Sequence, residues 1–210
     1  MSQKSLTEIG LFFKTDKATD HHFTDFYDSK LKHLRNEKIN LLEIGVMRGE
    51  SLRMWKEYFP NSTIYAVDLN DLKHYEEDRI IIEQCDQTDH IKMNSIFLNV
   101  KFDIIIDDGG HSMFQQQFSL ISIFNRLKKG GFYILEDLHT SLEYHWFYNK
   151  DLSKKTALEL IENFSNKKEE FKGFHVHEEN IKTIYNKINS CEIFKSNEGK
   201  SITSIIVKKD

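Results

Sequence analysis

One proline and nine glycines in 210 residues leave no stretch that reads as an interdomain linker. The two cysteines, Cys85 and Cys191, have no CxxC spacing and support neither a zinc ribbon nor a disulfide framework, so they read as free thiols of a reducing compartment. No apolar run approaches the roughly 18 residues of a membrane span. The opening MSQKSLTEIGLFFKTDK carries only a brief apolar stretch, shorter than a secretory h-region. A basic excess is missing too. The formal charge is −4, with a pI near 6.2, and this provides no electrostatic footprint for nucleic acid. The expectation is one cytoplasmic domain over residues 1–210, with a small-molecule partner, no nucleic acid and no membrane span.

From Ile39 onward, short apolar runs alternate with amphipathic ones. INLLEIGV, STIYAVDLN, RIIIEQCD, FDIIIDD and GGFYILED read as strands. Between them, ESLRMWKEYF, DHIKMNSIFLNV and the long MFQQQFSLISIFNRLKK read as helices. Continuous apolar strands joined by helices predict a parallel α/β sheet covered on both faces, because right-handed crossovers place the helices there. The tail SCEIFKSNEGKSITSIIVKK holds two strand-like runs around a turn-prone centre and predicts an antiparallel hairpin. Residues 1–38 predict one or two helices capping the sheet. Residues 142–189 predict a mostly helical, polar, substrate-determining segment, with NKKEEFKG as a solvated turn.

In an open parallel sheet, ligands bind beyond the C-terminal strand ends, where strand order reverses. Each of the polar clusters in this chain falls at such an end. Gly45 and Gly49 let the first strand turn tightly, but they do not make the GxGxxG of dinucleotide folds, which argues against NAD. Asp68 follows about 20 residues later, at the end of the second strand, where a carboxylate accepts both hydroxyls of a ribose. Asp86 and Gln87 end the third strand, within reach of an adenine amino group. Each acidic residue alone also suits a simple turn; three successive strand ends together point to an adenosine ligand. The fourth strand ends in DDGGH, with Asp107, Asp108 and His111, all of which resist burial unless paired.

These motifs carry a resemblance. LLEIGVMRGESLRMWKEYFP, YAVDLN, DQTD, FDIIIDDGGH and GGFYILEDLHTS resemble the class I S-adenosylmethionine-dependent methyltransferases. More narrowly, they are similar to the metal-dependent sugar O-methyltransferases of the mycinamicin VI 2″-O-methyltransferase type, and KTDKATDHHFTDFYD resembles the opening of that group's catalytic domain. The match runs from about Lys14 to Ser141.

The resemblance implies a Rossmann-like, seven-stranded sheet with a reversed last strand, and an S-adenosyl-L-methionine cofactor. Glu43, Gly45 and Ser51 would line its methionine side, Asp68 would hold the ribose, Asp86 and Gln87 would meet the adenine, and Asp107 would stand with this cofactor-binding set. It also implies that the fourth and fifth strands are neighbours, so that Asp107, Asp108 and His111 face Glu136 and Asp137. Clustered carboxylates repel one another unless a cation offsets them, and an oxygen-rich set suits Mg²⁺. The family pattern makes Asp108, Glu136 and Asp137 the metal ligands, with Asp108 and His111 as the catalytic pair. A metal lowers a bound hydroxyl's pKa, and an imidazole, ordinarily near 6.5, takes the proton. The family has serine where this chain has Gly110, and the expectation is that added backbone freedom there loosens His111.

His139, Thr140, Tyr144 and Trp146 are the candidate substrate contacts, with the aromatic rings stacking on a sugar face. The implied acceptor is a sugar hydroxyl of a nucleotide sugar, a glycoside or a surface-polysaccharide precursor, and a homo-oligomer is compatible with the sequence. Three alternatives stay open: a metal-independent small-molecule methyltransferase using His111 alone, a metal-assisted hydrolase, and a noncatalytic nucleotide-binding module.

Overall fold

A computed structural model of the chain describes residues 3–145, 153–197 and 200–210. Five parallel strands form its centre: β1 (Asn40–Ile44), β2 (Thr63–Asp68), β3 (Ile80–Gln84), β4 (Phe102–Asp107) and β5 (Leu127–Leu135). The antiparallel pair β6 (Ile188–Ser196) and β7 (Ser201–Lys208) completes a seven-stranded sheet of order β3-β2-β1-β4-β5-β7-β6. Strand order reverses between β1 and β4, so a crevice opens beyond their C-terminal ends. This is the Rossmann-like, seven-stranded arrangement with a reversed last strand expected from the sequence.

Both faces are covered. On one, α1 (Leu6–Phe13), α3 (Thr24–Leu31) and α4 (Glu50–Tyr58) bury Leu6, Tyr27, Trp55 and Tyr58 against Leu41, Ile64 and Ile104. The other face is covered by α5 (His90–Ser95), α6 (Met113–Ile123), α7 (Ala157–Ser165) and α8 (Glu178–Tyr185), with Leu120, Ile161 and Ile181 packed on Leu42, Ile105 and Tyr133. Residues alternate between faces along each strand, so Leu41 and Leu42 enter different cores. Capping boxes at Ser5 and Glu8, Ser112 and Gln115, and Thr156 and Glu159 fix three helix starts. No helix among the described residues is long and apolar enough to cross a membrane.

Three boundaries differ from the sequence reading. The long helix expected through Lys129 ends at Ile123, and Leu127–Lys129 open β5 instead. Leu127 pairs with Phe102 while Phe132 pairs with Ile104, and the bulge between them is accommodated by Gly130 at φ +68°. The helix expected to reach Val100 stops at Ser95, where the Arg126 guanidinium donates to the carbonyls of Asn94, Ile96, Phe97 and Val100 and holds an irregular turn. The N-terminal segment holds three helices rather than one or two, since a short α2 (Asp16–Thr19) sits between α1 and α3.

Candidate active site

The β1 strand ends in a turn that only glycine fits. Gly45 has φ +97°, and a Cβ there would fall on the carbonyl oxygen of Asp108 and 2.8 Å from its carbon. The tight turn brings Val46 N–H within 3.0 Å of Asp68 Oδ2, while Asn70 N–H donates to Oδ1 at 2.8 Å. Asp68 is thereby oriented at the edge of a cavity of about 550 Å³. Gly45, Ser51, Asp68, Asp86 and Gln87 share that cavity with Asp108, His111 and Asp137. Five of the seven expected cofactor residues therefore open on the same space as Asp108, His111 and Asp137.

Two of the expected cofactor residues stand outside the lining. Asp107 is buried beneath it, accepting hydrogen bonds from Ser119 Oγ and, at 3.0 Å, from Tyr133 Oη; burial pushes its carboxyl up to about 6 against those two bonds. It is the buried residue at the end of β4, tied there to Ser119 of α6 and Tyr133 of β5. Glu43 is fully buried behind the glycine turn, and burial, partly offset by Lys17, pushes it up to about 7. Asp86 accepts from Thr88 N–H and Oγ1, both at 2.8 Å, in an Asx turn. The Gln87 amide is committed within the site's own wall: its Oε1 accepts from Gly110 N–H at 2.5 Å.

That bond changes the expectation for Gly110. The place of a Cβ at this residue is filled by the Gln115 side chain, and the backbone is tied to Gln87, so the loop before His111 is held rather than loosened. Thr140, a candidate substrate contact, is buried and donates to the carbonyls of His111 and Asp137 at 3.0 and 2.8 Å, joining the loops after β4 and β5. His139 lies 3.8 Å from Asp137 Oδ1, and burial, aided by neighbouring histidines, pushes its pKa down to about 4. Tyr144 is exposed, and Trp146 lies outside the described residues.

The carboxylate centre contains a cation that the sequence reading missed. Lys17 of α2 is fully buried, and its Nζ is ion-paired with Asp108 Oδ2, with Glu136 Oε2 at 3.0 Å and with Glu43 Oε1 at 3.3 Å. Burial pulls the ammonium toward neutrality, but the three carboxylates outweigh it and hold its pKa well above the lysine range. The clue in the sequence was the charge balance: carboxylates converging at dry strand ends require a counter-charge, and TDK lies in a segment expected to cap them.

Asp137 sits in the left-handed region at φ +54°, which turns its carboxylate back toward β4. Its Oδ2 is 3.4 Å from His111 Nδ1, and its Oδ1 is 3.8 Å from His21 Nε2. Burial first, then Asp108, raises the Asp137 carboxyl pKa, and burial raises that of Glu136.

The donors fit a metal ion. One ligand atom each from Asp108, His111 and Asp137 lies within 4.8 Å of the others. Asp137 Oδ1 and Glu136 Oε1 are buried without accepting a hydrogen bond, so each has lone pairs left to bind a cation. Of the expected ligands, Asp108 and Asp137 are in this group, while Glu136 turns one oxygen to Lys17.

No family model matches the chain. It is 39% identical over 129 residues to mycinamicin VI 2″-O-methyltransferase of Micromonospora griseorubida, covering 58% of this chain and 32% of that one. It is 38% identical over 149 residues to demethylmacrocin O-methyltransferase of Streptomyces fradiae, covering 67% and 38%. The chain thus spans about a third of the length of these curated relatives. In structure it matches the MycE methyltransferase of the mycinamycin biosynthetic pathway, in complex with Mg, SAH and mycinamycin VI. The TM-score is 0.79 at 27% identity, covering 99% of this chain and 55% of that one. The chain is thus similar in sequence to these O-methyltransferases and shares its fold with the MycE methyltransferase.

Proposed function

We propose that this chain is the donor-binding and catalytic part of an S-adenosylmethionine-dependent O-methyltransferase. Its acceptor is a sugar hydroxyl on a glycosylated small molecule, and Asp108, Glu136 and Asp137 hold a Mg²⁺ ion. The observation that carries this reading is a single cavity joining the Gly45 and Asp68 turn to the group Asp108, His111 and Asp137. The relatives' names support the acceptor class, since they refer to sugars on macrolide and tetracenomycin scaffolds; nucleotide sugars and surface polysaccharides have no counterpart among them.

When bound, S-adenosylmethionine supplies an electrophilic methyl group, and Mg²⁺ makes a hydroxyl it holds more acidic. Asp68, already oriented by two backbone N–H groups, accepts the ribose hydroxyls. Ser51 and the Gly45 turn line the methionine side, and Asp86 with the Gln87 segment borders the adenine. His111 takes the acceptor's hydroxyl proton at Nε2, while Asp137 Oδ2 beside Nδ1 sets the ring's orientation and offsets the imidazolium charge. The O–C bond forms as the C–S bond breaks, giving a methyl ether and S-adenosylhomocysteine. Residues 1–38 close the site as a helical cap, and residues 142–189 select the acceptor.

The test is calorimetric titration of S-adenosylhomocysteine into EDTA-treated protein, followed by turnover assays with Mg²⁺ and glycosides bearing a free sugar hydroxyl. Micromolar binding that is lost in Asp68→Ala, with Mg²⁺-dependent methylation lost in His111→Ala, is expected. Absence of adenosyl binding overturns the methyltransferase reading. Methylation that EDTA leaves unchanged overturns the metal.

A further inference from the structure

Lys17 has no role in the reading above, yet it is among the largest fully buried side chains of the protein. It reaches the strand ends from a four-residue helix, and one ammonium engages a carboxylate from each of β1, the loop after β4 and the loop after β5. Its own carbonyl accepts from Phe23 N–H at 2.8 Å, which binds α2 to the start of α3. The α3 helix is pinned in turn, with Tyr27 Oη 2.9 Å from Thr203 Oγ1 and Asp28 accepting from Tyr58 Oη at 2.6 Å. The N-terminal helices and the carboxylate centre are therefore one ion-paired unit.

We propose that the Lys17 ammonium is a built-in counter-cation that assembles the carboxylate centre in the metal-free protein, and that it competes with an entering divalent ion for Asp108. The inference rests on the metal-binding part of the proposed function. Three features carry it. Asp108 belongs both to the Lys17 ion pair and to the candidate ligand group, and Glu136, the third proposed ligand, is ion-paired with Lys17 as well, so the two cations share these carboxylates and meet at the cavity on Asp108. Glu136 divides its oxygens, Oε2 on Lys17 and Oε1 without a hydrogen-bond partner. Glu43 is too deep to line the cavity, so its charge depends on Lys17 whether or not a metal is present. Buried carboxylates left without a cation repel one another strongly, and any replacement for the ammonium must come from solution. In this arrangement the cap is in place before the metal arrives, and the metal rearranges Asp108 rather than ordering the site from nothing.

The test uses the full chain as wild type, as Lys17→Met and as Lys17→Met/Glu43→Gln, the last removing one charge of each sign. Mn²⁺ affinity is read by electron paramagnetic resonance, and thermal melts are run in EDTA and in Mg²⁺. Expected for Lys17→Met is Mn²⁺ binding at least about tenfold tighter than wild type, with a large loss of melting temperature in EDTA of which Mg²⁺ restores at least half. The double variant is expected to fold in EDTA and still bind Mn²⁺ more tightly than wild type, because the competitor for Asp108 is gone. A lysine that is merely structural would lower the melting temperature equally with and without metal and leave Mn²⁺ affinity unchanged or weaker, and that result overturns the proposal. So does failure of both variants to fold in either condition, since charge balance or metal would then not replace the ammonium. If the wild type itself binds no Mn²⁺, the metal-dependent reading falls first, and the competition falls with it.

Discussion

Replacing Gly45 by alanine should damage two subsites with one methyl group. The residue holds φ +97°, where an L side chain is strained by about 1–2 kcal/mol. The new Cβ would also fall on the Asp108 carbonyl oxygen, 2.8 Å from its carbon and 3.2 Å from Gly109 Cα, all of it backbone rather than a side chain that can swing away. Forcing the β1 and β4 loops apart adds an overpacking cost of about 1–3 kcal/mol. It also strains the bond from Asp108 N–H to the Ile44 carbonyl, 2.9 Å long. The total is about 2–5 kcal/mol, and for a chain of this size each kcal/mol lowers the melting temperature by about 2–4 °C. A fall of about 4–20 °C is therefore expected in a circular-dichroism melt. The loop that moves carries Asp108, so calorimetry should find S-adenosylhomocysteine affinity and Mn²⁺ affinity weakened together. A variant melting within 2 °C of wild type, or losing one ligand while keeping the other at full affinity, would refute the claim that the two subsites share this contact.

Away from the cavity, Arg126→Met should cost about 3 kcal/mol in urea unfolding, because four carbonyls lose a charged donor, while S-adenosylhomocysteine affinity stays at the wild-type value. Loss of that affinity would show that the turn after α5 reaches the site. For Asp107, burial raises the folded-state carboxyl from 3.8 to about 6, so the folded protein binds the proton more tightly than the unfolded chain. That contribution to stability is fully present below about pH 4 and is lost as pH rises through about 6. Asp107→Asn should thus gain about 2–3 kcal/mol relative to wild type between pH 4 and pH 7, and a pH-independent difference would refute the assignment. Gly110→Ser should displace the Gln115 side chain from its cap on Ser112 at a cost of about 1 kcal/mol, and a second change, Gln115→Ala, should recover part of it. Full stability of the single variant would show that Gln115 yields freely.

The sheet was legible because its strands are continuous apolar runs with no rival interpretation: Ile104, Ile105 and Ile106 are all fully buried, as a parallel strand covered on both faces requires. The extent of β5 was not legible. Leu127–Lys129 continue an amphipathic helical pattern, and only pairing of Leu127 with Phe102, distant in sequence, makes them a strand. At the site, turn chemistry exposed Gly45, Asp68 and Asp86, since each ends a strand next to residues that bend the chain. Alternation along β4 separates the two aspartates: Asp108 lines the cavity, so its neighbour Asp107 faces elsewhere, where its partners Ser119 and Tyr133 come from α6 and β5. Lys17 was hidden for another reason. A lone lysine on a short polar helix has the composition of a solvated surface, and its burial depends on three carboxylates supplied by three different strands.

That dependence ties the fold to the chemistry. A centre of converging carboxylates, such as the proposed ion site requires, is unstable by itself, since each acidic group is buried beside others of the same sign. In the proposed scheme the ammonium among Glu43, Asp108 and Glu136 offsets that repulsion before any ion binds, while Asp137 and His111 line the cavity. Glu43 is then left to the architecture alone, while Asp108 and Glu136 belong both to the ammonium and to the proposed ligand set. Asp108, which pairs with Lys17 and also lines the cavity, is where a stability requirement and the proposed catalytic requirement meet, and its substitution should disturb both.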